Sequence, residues 1–137
     1  MEISINYIAV IVAALASMVL GGLWYSPLLL GNAWIKEMGW SAKQCEEAQK
    51  NAGPSYFIGL LSQLLMAFVM AHLIGLLSLN TWQEGLQLAL WIWLGFIATI
   101  QLGSVLWEMK SKKLFFINSA YWMVSLGLMA SILGAWR

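Results

Sequence analysis

The chain has 137 residues, 61% apolar and 9% charged, with a mean hydropathy of +0.78. Soluble domains are about half apolar and about a quarter charged, so this chain lacks the charge to cover a water-facing globule. Disorder and fibrous repeats are excluded as well, leaving an integral membrane protein. The net charge of +1 offers no basic stripe for nucleic acid. With one cysteine, Cys45, and one histidine, His72, neither an internal disulfide nor a zinc site is expected.

A hydrocarbon core of about 30 Å takes about 20 apolar residues in a helix. Four segments qualify, at about Ile5–Tyr25, Tyr56–Leu79, Gly85–Trp107 and Leu114–Trp136. None holds Asp, Lys or Arg, and none alternates as a barrel strand does. Each therefore predicts an α-helix that satisfies its own backbone in lipid. The expected fold is an all-α bundle of four transmembrane helices, a single membrane domain over residues 1–137. The first span is not expected to be a cleaved signal peptide, because no Lys or Arg precedes it and Trp24-Tyr25-Ser26-Pro27 follows.

Orientation follows from the cations. Lys36, Lys43, Lys50, Lys110, Lys112 and Lys113 lie between spans 1 and 2 or between spans 3 and 4, with only Arg137 on the other side. The positive-inside rule then puts both termini outside and loops 26–55 and 108–113 in the cytoplasm, as in an inner-membrane protein. Trp24, Trp34, Trp40 and Trp107 mark the inner boundary, and Trp82 and Trp136 the outer one. Trp91, Trp93 and Trp122 lie deeper and call for packing or a ligand.

In the long linker, Pro27 ends or kinks span 1, and Leu28–Met38 reads as a surface helix stopped by Gly39. Ser41 and Gln44 form a capping box for a short helix running to about Asn51, closed by Gly53-Pro54. The segment is either a solvated hairpin or a docking surface. Each span also carries small residues at four-residue spacing: Ala13/Ser17/Gly21, Ala67/Ala71/Gly75, Gly95/Thr99/Gly103 and Gly127/Ser131/Ala135. Such stripes let membrane helices approach closely. Spans 1–2 and 3–4 share matched positions that suggest a duplicated hairpin.

Polar residues at depth are the functional leads. Gln63, Gln101 and Tyr121 fall at one depth with Asn118 a turn further in, forming either interhelical hydrogen bonds or the waist of a small pore. His72 either bonds a neighbouring helix, with Ser131 as partner, or works with Glu84 as a proton relay or cation site. Glu108 sits at the inner rim, where Tyr25, Glu108 and Asn118 converging would make a pocket. No phosphate loop, nucleophile elbow, metal motif or intramembrane carboxylate pair is present, so no catalytic residue, metal or cofactor is expected.

Three stretches carry a family resemblance: Gly22-Leu23-Trp24-Tyr25-Ser26-Pro27-Leu28-Leu29 followed by Gly31 and Trp34, Trp93-Leu94-Gly95-Phe96-Ile97-Ala98-Thr99, and Leu114-Phe115-Phe116-Ile117-Asn118-Ser119-Ala120-Tyr121-Trp122. Together they resemble the small bacterial membrane proteins of domain of unknown function 1761. The resemblance implies a four-span protein with no established activity or ligand. It draws attention to Trp24, Tyr25, Ser26, Pro27, Gly95, Thr99, Asn118 and Tyr121, while the basic turn Met109–Lys113 is less typical of the family. The leading functional expectation is a non-enzymatic structural or interaction subunit, self-associating or part of a larger membrane complex, with lipids as its other partners. The alternative is a minimal homo-oligomeric transporter or channel for a small solute.

Overall fold

The computed structural model describes residues 2–137, and all its regular elements are helical. In chain order they are α1 (Tyr7–Trp24), α2 (Gly31–Met38), α3 (Ala42–Lys50), α4 (Ala52–Leu76), α5 (Trp82–Ile92), a π-helical stretch (Trp93–Ile97), α6 (Ala98–Leu106) and α7 (Lys112–Ala135). Four helices are long and apolar enough to cross a membrane: α1, α4, the continuous Trp82–Leu106 run and α7. Each expected span has its helix.

The ends are set by capping. The Asn6 side chain accepts from Ala9 N–H at 3.2 Å to start α1. The Ser41/Gln44 capping box is present, with bonds of 2.8 and 3.2 Å, and Gly39 ends α2 in the left-handed region at φ 70°. Two boundaries differ from expectation. The surface helix starts at Gly31, because residues 27–30 form the turn after Pro27. Gly53 and Pro54 lie in the first turn of α4 and do not close α3. Proline is tolerated there because first-turn N–H groups have no intrahelical acceptor.

Packing centres on α7. Half of its most apolar window is buried inside the protein, against 6% for the Trp82–Leu106 run. Helices α1, α4 and α7 pack on one another, whereas α5 and α6 pack on α7 and leave α4 untouched along most of their length. The expected bundle is therefore open: α1, α4 and α7 pack on one another, and the third span joins the core through Ala89 from the α7 side. Ala9, Ala13, Ala67, Met129 and Ala130 are fully buried where the three meet. Ser17 and Ser125, both buried, share a hydroxyl–hydroxyl bond of 3.1 Å between α1 and α7. At the opposite end from α2 and α3, the termini meet: Asn6 Nδ2 donates to the Trp136 carbonyl, and the Arg137 guanidinium to that of Leu79.

The small-residue stripes divide into those that are used and one that is not. Ala13, Ser17 and Ala67 are buried, and a Cβ on Gly21 would stand 2.9 Å from the Tyr121 hydroxyl. Gly95 meets nothing within 4 Å, so the Gly95/Thr99/Gly103 stripe faces away from the rest of the chain. The closest helix approach is instead made by Gly85 and Gly134, where added Cβ atoms would run into the carbonyls of Ala130 and Thr81. These two positions lie one residue or more off the stripes.

The π-helical stretch has no counterpart in the uninterrupted α1, so the two hairpins differ where a duplication would have matched them. It has a local cause. Trp93 donates its indole N–H to the Ser119 carbonyl at 2.7 Å, and Thr99 Oγ1 donates to the Gly95 carbonyl at 2.8 Å, satisfying an acceptor within the widened turn.

Gly85→Ala is expected to destabilise the protein by about 1–3 kcal/mol through overpacking against the α7 backbone. Gly95→Ala is expected to stay within about 0.5 kcal/mol of the parent. Unfolding in mixed micelles followed by circular dichroism checks both, and equal losses would contradict the assignment of the α5–α7 contact.

Candidate functional site

Pro27 has no N–H to give the Leu23 carbonyl, and that acceptor is taken by the Ser26 hydroxyl at 2.7 Å and the Ser26 N–H at 3.2 Å. The Ser26 carbonyl in turn receives the N–H groups of Leu29 at 3.1 Å and Gly31 at 2.9 Å. Gly31 is buried against this turn, and a Cβ there would collide with the Tyr25 and Ser26 backbone. Only glycine fits, so the chain folds back sharply and brings α2 beneath the end of α1.

Two side chains of the turn then anchor it to α7. Trp24 Nε1 donates to the Ile117 carbonyl at 3.2 Å, and the Tyr25 hydroxyl donates to Asn118 Oδ1 at 2.8 Å. Tyr25 also meets Tyr121 edge-on at 5.2 Å and Trp34 at 5.8 Å between ring centroids. Trp34 continues to Trp40 at 4.9 Å, and Tyr121 to Trp122 at 5.0 Å. Five rings drawn from α1, α2 and α7 thus form one continuous aromatic wall. Edge-to-face contacts of this kind add about 0.5–1.5 kcal/mol per pair beyond area burial.

The wall bounds a cavity of about 620 Å³ at the lysine-bearing end of the helices. Cys45, Ala48 and Gln49 of α3, Ala52 and Tyr56 of α4, and Gln101 of α6 complete it. Its polar groups are three carboxamides, from Gln49, Gln101 and Asn118, and three phenols, from Tyr25, Tyr56 and Tyr121. No Asp, Glu, Lys, Arg or His is among its lining residues. The volume lies within the range of small-molecule sites. The cavity presents carboxamide, phenol, indole and thiol groups, all able to hydrogen-bond a ligand.

The structure sorts the residues singled out from the sequence. Gln101, Asn118 and Tyr121 do converge, and Tyr25 joins them. Gln63 does not: it is buried in α4, away from the cavity, with Oε1 unpartnered. The expected layer of Gln63, Gln101 and Tyr121 is therefore split, because α4 diverges from α6 and turns Gln63 elsewhere. The expected His72–Ser131 bond is also absent. His72 Nδ1 pairs with the Phe68 carbonyl at 2.9 Å and Ser131 with the Gly127 carbonyl at 2.6 Å, each within its own helix. Glu84 caps α5 by accepting from Asn80 and Thr81 N–H at 2.7 and 3.2 Å, not from His72. Glu108 is exposed and lies outside the cavity that Tyr25 and Asn118 share.

Among the tryptophans, Trp107 is 84% exposed and Trp91 67%, as befits residues facing lipid or its interface. Trp34, Trp40 and Trp122 instead line the cavity. Linker residues Trp40, Cys45, Ala48 and Gln49 were not singled out as site residues in the sequence. The signal that bears on their segment is the Ser41/Gln44 capping box, which starts the helix that carries Cys45, Ala48 and Gln49 to the cavity.

An all-helical chain with four membrane-length helices and an uncharged aromatic cavity at one end defines a small helical membrane protein. The match to the family described as protein of unknown function (DUF1761) covers residues 8–134, and the chain belongs to that family. No curated protein and no solved structure matches it.

The family-motif residues acquire physical roles in this geometry. Trp24, Tyr25, Ser26 and Pro27 build and anchor the turn, Asn118 and Tyr121 receive it, and Gly95 lies in the π stretch with its carbonyl bonded by Thr99 of α6. Tyr25→Phe is expected to cost about 0.5–1.5 kcal/mol, the net worth of one hydrogen bond. Gly31→Ala is expected to cost more, because backbone must move. Thermal unfolding in nanodiscs checks the order, and a neutral Gly31→Ala would refute the turn as described.

Proposed function

We propose that the chain is a non-enzymatic membrane protein whose working part is the aromatic cavity, a binding site for a small molecule drawn from the membrane–water boundary. The observation that carries this reading is the direction of the rings. Boundary tryptophans and tyrosines that serve only as anchors face the lipid headgroups. Here Trp34, Trp40 and Trp122, each partly buried, line a shared space together with three carboxamides, while Tyr56 at its edge is largely exposed. Clustered cations at the same end support placing the cavity on the cytoplasmic side of an inner membrane.

Trp34→Ala with Trp40→Ala tests the reading, because Trp34 of α2 and Trp40, two residues past its end, lie outside the buried core. Native mass spectrometry of protein released directly from its own membrane is expected to show a retained small molecule with the parent chain and its loss from the double variant. Identical spectra from the two would refute the site.

A second reading, a self-associating or structural subunit, is favoured by the Trp82–Leu106 run, of which only 6% is buried by its own chain. Its Gly95/Thr99/Gly103 face would let a second helix approach closely. In a Cys45→Ser background, Phe96→Cys is expected to cross-link between copies in membranes, while Ile8→Cys on the exposed face of α1 is not. Equal cross-linking at both positions would contradict this interface.

A further inference from the structure

We infer that the cavity is the head-group half of a longer site, and that its ligand is a single-tailed lipid with an uncharged, hydrogen-bonding head. The inference rests on the binding reading above and adds the class of ligand. Its starting point is a second space, an apolar groove of about 350 Å³ between α4 and the third span. Ser62 and Met66 of α4, Ile92 and Ile97 of the third span, and Leu126 of α7 line it.

The groove continues the cavity along the same three helices. On α7, Trp122 lines the cavity and Leu126, one turn on, lines the groove. On the third span the step is from Gln101 to Ile97, again one turn. On α4 it is from Tyr56 to Ser62, about 9 Å at helical rise. All three steps lead away from the lysine-bearing end. The two spaces therefore lie in line along the crevice left where α4 and α6 do not pack on each other. The near space is aromatic and rich in carboxamides, and the far one is almost wholly aliphatic. That is the polarity sequence of an amphiphile.

The lining selects the head. No Asp, Glu, Lys, Arg or His of the lining would pair with a formal charge on the head. An uncharged head loses little, because carboxamides both donate and accept. The Tyr25 hydroxyl occupies Asn118 Oδ1, which leaves the Asn118 NH2 to donate toward a ligand oxygen. One groove of about 350 Å³ adjoins the cavity on these helices, hence one tail.

The test uses protein labelled with 5-fluorotryptophan in phosphatidylcholine nanodiscs, with assigned resonances for Trp34, Trp40, Trp122 and Trp82. Three twelve-carbon probes are titrated: monolauroylglycerol, its anionic lysophosphatidylglycerol analogue and dodecyltrimethylammonium. Monolauroylglycerol is expected to shift Trp34, Trp40 and Trp122 saturably and to leave Trp82 unmoved. Gln101→Leu with Asn118→Leu is expected to weaken it at least tenfold. Ser62→Trp, at an exposed position that does not disturb the core, is expected to erase its preference over the eight-carbon homologue.

Equal or tighter binding of either charged probe at the same tryptophans would overturn the uncharged class and leave the cavity as a binding site. Unaltered chain-length preference in Ser62→Trp would overturn the tail groove. Failure of all three probes to move Trp34, Trp40 and Trp122 would overturn the lipid proposal, while a small molecule retained in the native-membrane experiment would still uphold the cavity.

Discussion

Three contacts of quite different chemistry converge on a single helix. Glycines at 85 and 134 let the third span lie against α7 backbone to backbone. Serines at 17 and 125 tie α1 to it through their hydroxyls. Trp24 and Tyr25 hook the end of α1 onto its Ile117 and Asn118. In lipid the hydrophobic effect gives helices no reason to associate, so small residues and interhelical hydrogen bonds must do so. Concentrating them on α7 makes it the shared wall of every other element, and the cavity exists because α7 holds α1 and α6 without drawing α4 onto α6.

The cavity itself is a product of polarity matching at a boundary. Rings with a polar edge suit the region where hydrocarbon meets water, and α2 and α3 are short helices that can lie there without spanning. The Gly31 turn converts that general preference into a specific placement. It folds α2 back so that Trp34 meets Tyr25 and Trp40 meets Trp34, while α3 adds Cys45 and Gln49 to the cavity lining. Charged residues stay on the outer surface of these helices, where Lys50 and Glu46 pair at 3.7 Å in full contact with solvent.

Much of this was readable from residue order, and the failures have physical reasons. Span lengths, the capping box and the Gly39 stop depend on neighbouring residues and came out as expected. Gln101 and Tyr121, grouped by depth with Gln63 and with Asn118 a turn further in, share a cavity with Asn118 and with Tyr25, which the sequence sets beside Glu108 and Asn118. Depth says nothing about rotation, however, and rotation is what separates Gln63 from Gln101. The small-residue stripes met the same limit: spacing identifies a face but not its partner, so the Gly95 stripe was expected inside and lies outside. His72 and Ser131 each had a nearer acceptor, one turn back on their own helix. The linker's contribution was hidden because its contacts are all long-range.

The π-helical stretch carries a consequence for how this chain tolerates changes in length. A widened turn accommodates one residue more than an α-helix would, and one residue is about 100° of rotation. Everything after Ile97 is therefore phased by that extra residue, including the direction in which Gln101 points. Removing a single residue between Trp93 and Ile97 would leave hydropathy, span length and charge nearly untouched. It would also let the turn tighten to an ordinary α-turn and leave α6 in phase, with Gln101 still on the cavity wall, whereas the same deletion within α5 or α6 would rotate the residues on one side of it by about 100°. The π-helical turn is thus a place where the third span can lose a residue and keep its faces.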